Sequence, residues 1–250
     1  MPPKVPYSYR PQMQDGNVDS ALPSFSKVPP FRFDSSFVAK IKPSQTGDGS
    51  TYGFNKKTYE LIMQIKEIAD RYGVDPNIII NTASKESSFN PLARNGAALG
   101  LFQFSPDDWK DVQKRFAGVF KFTDNGRTDP LQSITAMALR YRDYERRHRD
   151  AGIPYDHTSL YMRHFLGPTG GYEFLRDLER FNNNEFGEGE SVFVSDARPG
   201  AAKNNGKAFY KQYDEKTKTY SDPRNYREFF DFQAGYFKDR YNHLWEKEEP

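Results

Sequence analysis

Cysteine is absent from the 250 residues. That excludes a disulfide framework and any thiolate metal site, and it fixes no redox compartment. The four histidines, at 148, 157, 164 and 243, have no ligand spacing, so neither a metal nor a cofactor is expected. An excess of one charge is missing as well: the formal net charge of +2 gives no basis for nucleic-acid recognition. Long apolar runs are lacking, and no stretch approaches the roughly 20 residues of a membrane span. The first residues, MPPKVPYSYRPQMQDG, hold no apolar core of the signal-peptide kind. The expectation is that something other than a signal peptide carries the chain to its place of action. Hydrophobic residues make up only 36% and the mean hydropathy is −0.88, so part of the chain is expected to be poor in core.

Aromatics, in contrast, are plentiful at 16%, with 21 Phe and 16 Tyr, which suits sugar stacking as well as ordinary cores. Proline is concentrated at one end: residues 1–50 hold 8 of the 17. That segment has no periodic pattern and reads as extended or disordered. Apolar anchors recur along it (Val5, Tyr7, Tyr9, Phe25, Phe31, Phe33, Phe37), so residues 1–54 are expected to be an arm that tethers the chain to a partner.

From Asn55 the pattern turns helical. Tyr59, Ile62, Ile65, Ala69 and Tyr72 share a face that Gly73 ends, and Asp75-Pro76 caps a second helix reaching Glu86. Ser105-Pro106-Asp107-Asp108 caps another, which gives both aspartates a structural purpose. Asp129-Pro130 opens a long helix to about Asp150, whose second half, RYRDYERRHR, reads as a solvated basic face. Residues 211–250 are dense in aromatics, and Tyr226, Phe230, Phe237, Tyr241, Leu244 and Trp245 approximate helical spacing. Such a face needs a cover, either this chain or another protein.

The centre of the chain is Thr82–Phe104, TASKESSFNPLARNGAALGLFQF. Glu86 falls on the last helical turn, before a break at Asn90-Pro91 and a loop of small residues. The negative end of the helix dipole and apolar neighbours (Phe89, Leu101, Phe102) both disfavour an ionised carboxylate. A carboxyl held protonated near neutrality is a general acid.

The same stretch resembles the goose-type lysozyme and soluble lytic transglycosylase family. Glu86-Ser87, Phe89, Pro91 and Ala93 match its Glu-Ser and Phe-x-Pro-x-Ala elements, and Gly100-Leu101-Phe102-Gln103 its Gly-Leu-Met-Gln turn. Phe102 stands where Met is usual. The family's third motif, Ala-Tyr-Asn-Ala-Gly-like, is replaced by Arg163-His164-Phe165-Leu166-Gly167. This run, and Pro199-Gly200-Ala201-Ala202-Lys203-Asn204-Asn205 after it, look like a variant found in phage-encoded wall-degrading proteins.

The resemblance implies a mainly α, lysozyme-like catalytic domain over 55–210, flanked by the N-terminal arm and an aromatic-rich helical segment at 211–250. It implies cleavage of the β-1,4 bond between N-acetylmuramic acid and N-acetylglucosamine, with Glu86 as the catalytic acid and base and a 1,6-anhydro product. Ser87, Gln103 and Phe104 are the expected substrate contacts, and Tyr161 or His164 takes the place of the family's third-motif Tyr. Expected partners are peptidoglycan strands and, through the flanks, other virion proteins. The expected setting is a phage particle acting in the host periplasm and cell wall. A hydrolytic muramidase or endolysin is the alternative enzyme, and a glycan-binding virion adaptor the alternative from another class. A muramidase would need a second carboxylate, and Asp107, Asp108, Asp124, Asp129 and Asp156 are its candidates.

Overall fold

Helix α1 spans Lys56–Tyr72 and starts where Asn55 accepts a hydrogen bond from the Thr58 amide at 2.9 Å. The computed structural model describes residues 55–237, so the expected arm over 1–54 and the last part of the expected C-terminal segment lie outside the described residues. The packing forms two units, one reaching Arg142 and the other beginning at Asp143.

In the first unit α1 buries Tyr59, Ile62, Ile65, Ile68, Ala69 and Tyr72, the face that its 3.6-residue period predicts, and ends at Gly73 in the left-handed region. Helix α2 (Pro76–Ser87) packs on it, capped by Asp75 and with Pro76 in its first turn. Two-residue strands β1 (Arg94–Asn95) and β2 (Ala98–Leu99) pair antiparallel in the loop that follows. Helix α3 (Pro106–Arg115) begins at Ser105, whose hydroxyl accepts from the Asp108 amide at 3.1 Å. A 3-10 turn over Asp124–Thr128 leads into α4 (Pro130–Asp150). The buried Thr82 hydroxyl lies 2.7 Å from the Tyr141 hydroxyl and donates to the Ile78 carbonyl or to Tyr141, tying α2 to α4.

The second unit contains the end of α4, then α5 (His157–Phe165) with a capping box between Asp156 and Ser159. Helix α6 spans Pro168–Asn182. The glycine pair Gly170-Gly171 lies inside its first turn. A Cβ at Gly171 would stand 2.5 Å from the Arg163 Cα, so the glycine serves the α5–α6 crossing rather than a chain break. Short helices α7 (Val194–Ala197), α8 (Pro199–Asn204) and α9 (Gly206–Phe209) follow. A hairpin of β3 (Tyr210–Asp214) and β4 (Thr219–Pro223), not foreseen from the sequence, then precedes α10 (Tyr226–Ala234).

Helix α10 packs on α5 and α6, burying Tyr226, Phe229 and Gln233. The buried face thus runs through 229 and 233, while Phe230 is only half-buried. Phe229 meets Phe209 at 4.7 Å, Phe174 at 5.4 Å and Phe165 at 6.3 Å between ring centroids. Residues on both sides of position 210 therefore share one aromatic core, and losing a ring of this kind costs about 3–5 kcal/mol. The described residues are mainly helical, and no helix among them is long and apolar enough to cross a membrane.

Candidate active site

Glu86 sits on the last turn of α2 and is half-buried. The helix stops two residues later because Ser88 enters the left-handed region at φ 51°, with its amide donating to the Ser84 carbonyl at 3.0 Å. Phe89 follows at φ 63°, and Gln103, across the loop, has φ 50°. Three non-glycine residues in this region within one short stretch store about 1–2 kcal/mol each. Strain of that kind persists only where the surroundings over-determine it, and it collects at functional sites.

The loop that follows is fastened at several points. The Gly100 amide donates to the Ala93 carbonyl at 2.9 Å, and Leu99 and Phe104 exchange backbone bonds at 3.1 Å. The Gln103 Nε2 donates to the carbonyls of Gly100 and Ala93 at 2.8 and 3.2 Å, while its Oε1 is buried without a partner among the described residues. Arg127 closes the loop from the 3-10 turn, its Nη1 donating to the carbonyls of Ala97 at 2.9 Å and Phe104 at 3.2 Å. Arg127 was not singled out from the sequence. An arginine some thirty residues away that binds backbone carbonyls has no motif to reveal it.

The expected contact residues thus take distinct places. Ser87 was expected to contact substrate. Its hydroxyl donates instead to the Ala83 carbonyl at 3.0 Å, one turn back, which leaves it only as an acceptor. Phe104 was expected to face sugar but is 0% exposed, edge-on to Trp109 at 5.4 Å and under the Arg140 guanidinium. The bridge to Leu99 turns its ring into the core, so Phe104 forms the floor of the loop. Tyr161 and His164 belong to the second unit, on α5. The Tyr161 ring is fully buried between Phe165 at 5.8 Å and Phe237 at 4.7 Å, offering no open face for stacking; His164 is half-buried. An open groove of about 590 Å³ runs between α1 and the Ser88–Pro91 turn, lined in part by Leu61, Gln64 and Phe89, and Glu86 is not among its walls.

The aspartates considered as a second acid are all engaged. Asp108 accepts from the Ser105 hydroxyl at 2.6 Å and from the buried Arg140 at 3.1 Å. Asp129 caps α4 through the Gln132 amide at 3.0 Å, and Asp156 caps α5 through the Ser159 amide at 2.7 Å. Asp124 accepts from Gln113 at 3.0 Å, and Asp107 is exposed with Lys110 at 3.8 Å.

Lys85 is the neighbour the sequence did not mark. Burial pushes its ammonium down to about 8 from 10.5, with the Glu86 carboxylate opposing in part. The sign for stability follows from proton counting. Below pH 8 both folded and unfolded chains carry the charge, and the folded state bears the full burial cost. Between 8 and 10.5 the folded chain has released a proton that the unfolded chain keeps, so stability rises with pH across that window. Lys85→Met is therefore expected to stabilise the protein by about 1–2 kcal/mol at pH 7, a value discounted for the side chain's partial solvent contact. The advantage fades above about pH 10.5, where the wild-type lysine becomes neutral in both states. The same change removes a positive charge beside Glu86, and it is expected to move upward the alkaline limb of any activity that needs Glu86 protonated. Melting curves and rate profiles at several pH values read both effects; a stability gain that does not change with pH would show that packing, not charge, is responsible.

Residues 63–149 match the family model described as Transglycosylase SLT domain. The match runs from within α1 to the last turn of α4 and includes the whole Glu86–Gln103 region. No curated protein matches the chain.

Proposed function

We propose that the chain, whose residues 63–149 match the family model described as Transglycosylase SLT domain, acts on peptidoglycan by one specific reaction: non-hydrolytic cleavage of the N-acetylmuramic acid β-1,4-N-acetylglucosamine bond. Glu86 first donates its proton to the departing glycosidic oxygen. The resulting carboxylate then takes the proton of the muramoyl 6-hydroxyl as that oxygen closes on C1. One C–O bond breaks and one forms, no water enters, and the carboxyl regains its proton. A single carboxyl suffices, and no cofactor is required.

The observation that carries this reading is the contrast between the acids. Glu86 stands at a strained helix end from which a firmly tied loop departs, whereas each aspartate that a hydrolase would recruit already serves as a cap, an ion pair or an exposed surface group. A hydrolase would need a free second carboxylate within about 5–9.5 Å of the first.

Mass spectrometry of the products decides the chemistry. Digestion of purified peptidoglycan with the full chain is expected to give muropeptides one water lighter than their reducing counterparts. Reducing ends throughout would replace this reading with a muramidase. We also propose that the enzyme is carried on a phage particle and opens the wall during genome entry, a setting supported by the phage-like run Arg163-His164-Phe165-Leu166-Gly167 and by the flanks. Detection of the chain in purified particles is the expected result; its presence only in the lysate would favour an endolysin.

A further inference from the structure

The end of α4 reads as a solvated basic face, yet part of it is buried. Asp143, Tyr144 and His148 are all at most 9% exposed. Arg163, on α5, points its guanidinium among them and is itself 4% exposed. It lies 4.9 Å from the Tyr144 ring centroid and 5.5 Å from that of Tyr172. Its backbone cannot withdraw, because Gly171 of α6 packs directly on it.

Arg163 has no hydrogen bond and no ion pair among the described residues, and its Nε is sealed from solvent. The nearest carboxylate is already taken: Asp143 accepts from Arg146 and from Arg147, each at 2.9 Å. Asp143 attracts Arg163 only from beyond ion-pair range, so three guanidinium groups surround one carboxylate. The surroundings register this excess. Burial holds Arg163 below the usual arginine range, with the Arg147 charge adding to the effect, and His148 is held down by burial and by the Arg163 charge. An uncompensated buried cation is strongly unfavourable, and nature seldom leaves one without an anion.

We infer that Arg163 is an anion receptor, whose terminal nitrogens take a carboxylate or phosphate group entering past Arg147 and Tyr172. Both are exposed, at 49% for the Arg147 side chain and 39% for Tyr172, as is Arg146 at 53%. The planar fork of a guanidinium suits a two-oxygen anion, and the Tyr144 and Tyr172 rings flank it. Peptidoglycan supplies carboxylates on its stem peptides, and other wall polymers supply phosphates. The proposed wall-cleaving function bears only on which carrier presents the anion.

The test is titration of the full chain, at constant ionic strength, with inorganic phosphate and separately with N-acetylmuramyl-L-alanyl-D-isoglutamine and its amidated analogue. Calorimetry is expected to show saturable binding of phosphate, the muramyl peptide carboxylate, or both, and none of the amide. Binding should weaken by at least about tenfold in Arg163→Met, the loss expected of a charge-assisted contact, and return in part in Arg163→Lys. Should Arg163→Met fail to fold, the exposed Arg147→Gln gives the same readout with a smaller loss. Phosphate binding alone would assign the site to a phosphate polymer, and carboxylate binding alone to the stem peptide; either sustains the inference. Absence of saturable binding to wild type, or binding unchanged in the variants, overturns it and leaves water as the partner of the guanidinium. A digest that yields no anhydro product would remove the wall-cleaving reading without altering the phosphate titration.

Discussion

Glu86→Gln is expected to lower peptidoglycan cleavage by about 10³-fold, the order lost with a general acid, while the protein folds as before. The amide matches the carboxyl in shape but has no proton to give to a departing sugar oxygen and no basic oxygen with which to recover one. Stability should stay near that of wild type, because relief at the helix end and loss of the attraction to the Lys85 ammonium oppose each other. Glu86 stands on the last turn of α2, where the unpaired carbonyls of the helix end disfavour a negative charge by about 0.3–1 kcal/mol. Loss of activity with an undiminished melting temperature is therefore the signature of a chemical role. Asp108→Asn should show the reverse. It loosens the Ser105 cap and leaves the 1%-exposed Arg140 without its carboxylate, so the melting temperature drops while the chemistry persists in the folded fraction. Digestion rates and melting curves on the two variants separate these roles. A Glu86→Gln protein within about tenfold of wild type, by the same scale of acid contributions, would show that the acid lies elsewhere.

The sequence revealed those features that depend on neighbours a few residues away. The α1 stripe, the Asp75, Ser105 and Asp129 starts and the end of α2 near Glu86 all follow from local rules, and the structure reproduces them. Features set by distant partners stayed hidden. Nothing within Leu99–Phe104 announces that Arg127 will hold its carbonyls, and Phe104 looks as available to a sugar as to a core until its bridge to Leu99 is seen. The glycine pair at 170–171 reads as a break by local logic, because the close approach of Arg163 that requires it comes from another helix. The hairpin after Phe209 was obscured by composition: β3 and β4 are almost wholly exposed, so no apolar alternation marks them. Likewise RYRDYERRHR carries the charge count of a surface helix, and only the fold shows that Asp143, Tyr144 and His148 turn inward.

Gly100→Ala is expected to be the most damaging single-methyl change in the first unit, costing about 3 kcal/mol or more. Two independent costs meet there. Gly100 has φ 83°, a conformation that charges an alanine about 1–2 kcal/mol. The added Cβ would also fall inside van der Waals contact with the Arg127 carbonyl, a backbone atom that cannot rotate away. Arg127 is anchored in turn, since its own side chain grips the Ala97 and Phe104 carbonyls that define the loop. Relief by movement would therefore break the bonds that place Gln103, whose amide donates to the Gly100 carbonyl. Gly96→Ala is the control: its φ of 58° brings a similar conformational cost, but its Cβ would meet open space. On the usual relation for a domain of this size, Gly100→Ala should lower the melting temperature by about 10 °C and Gly96→Ala by about a third of that. Equal losses would mean that backbone conformation alone sets both costs and that Arg127 does not press on the loop. A larger loss at Gly100, accompanied by a fall in the activity of the fraction still folded, would show that Arg127 positions the turn for activity as well as stabilising it.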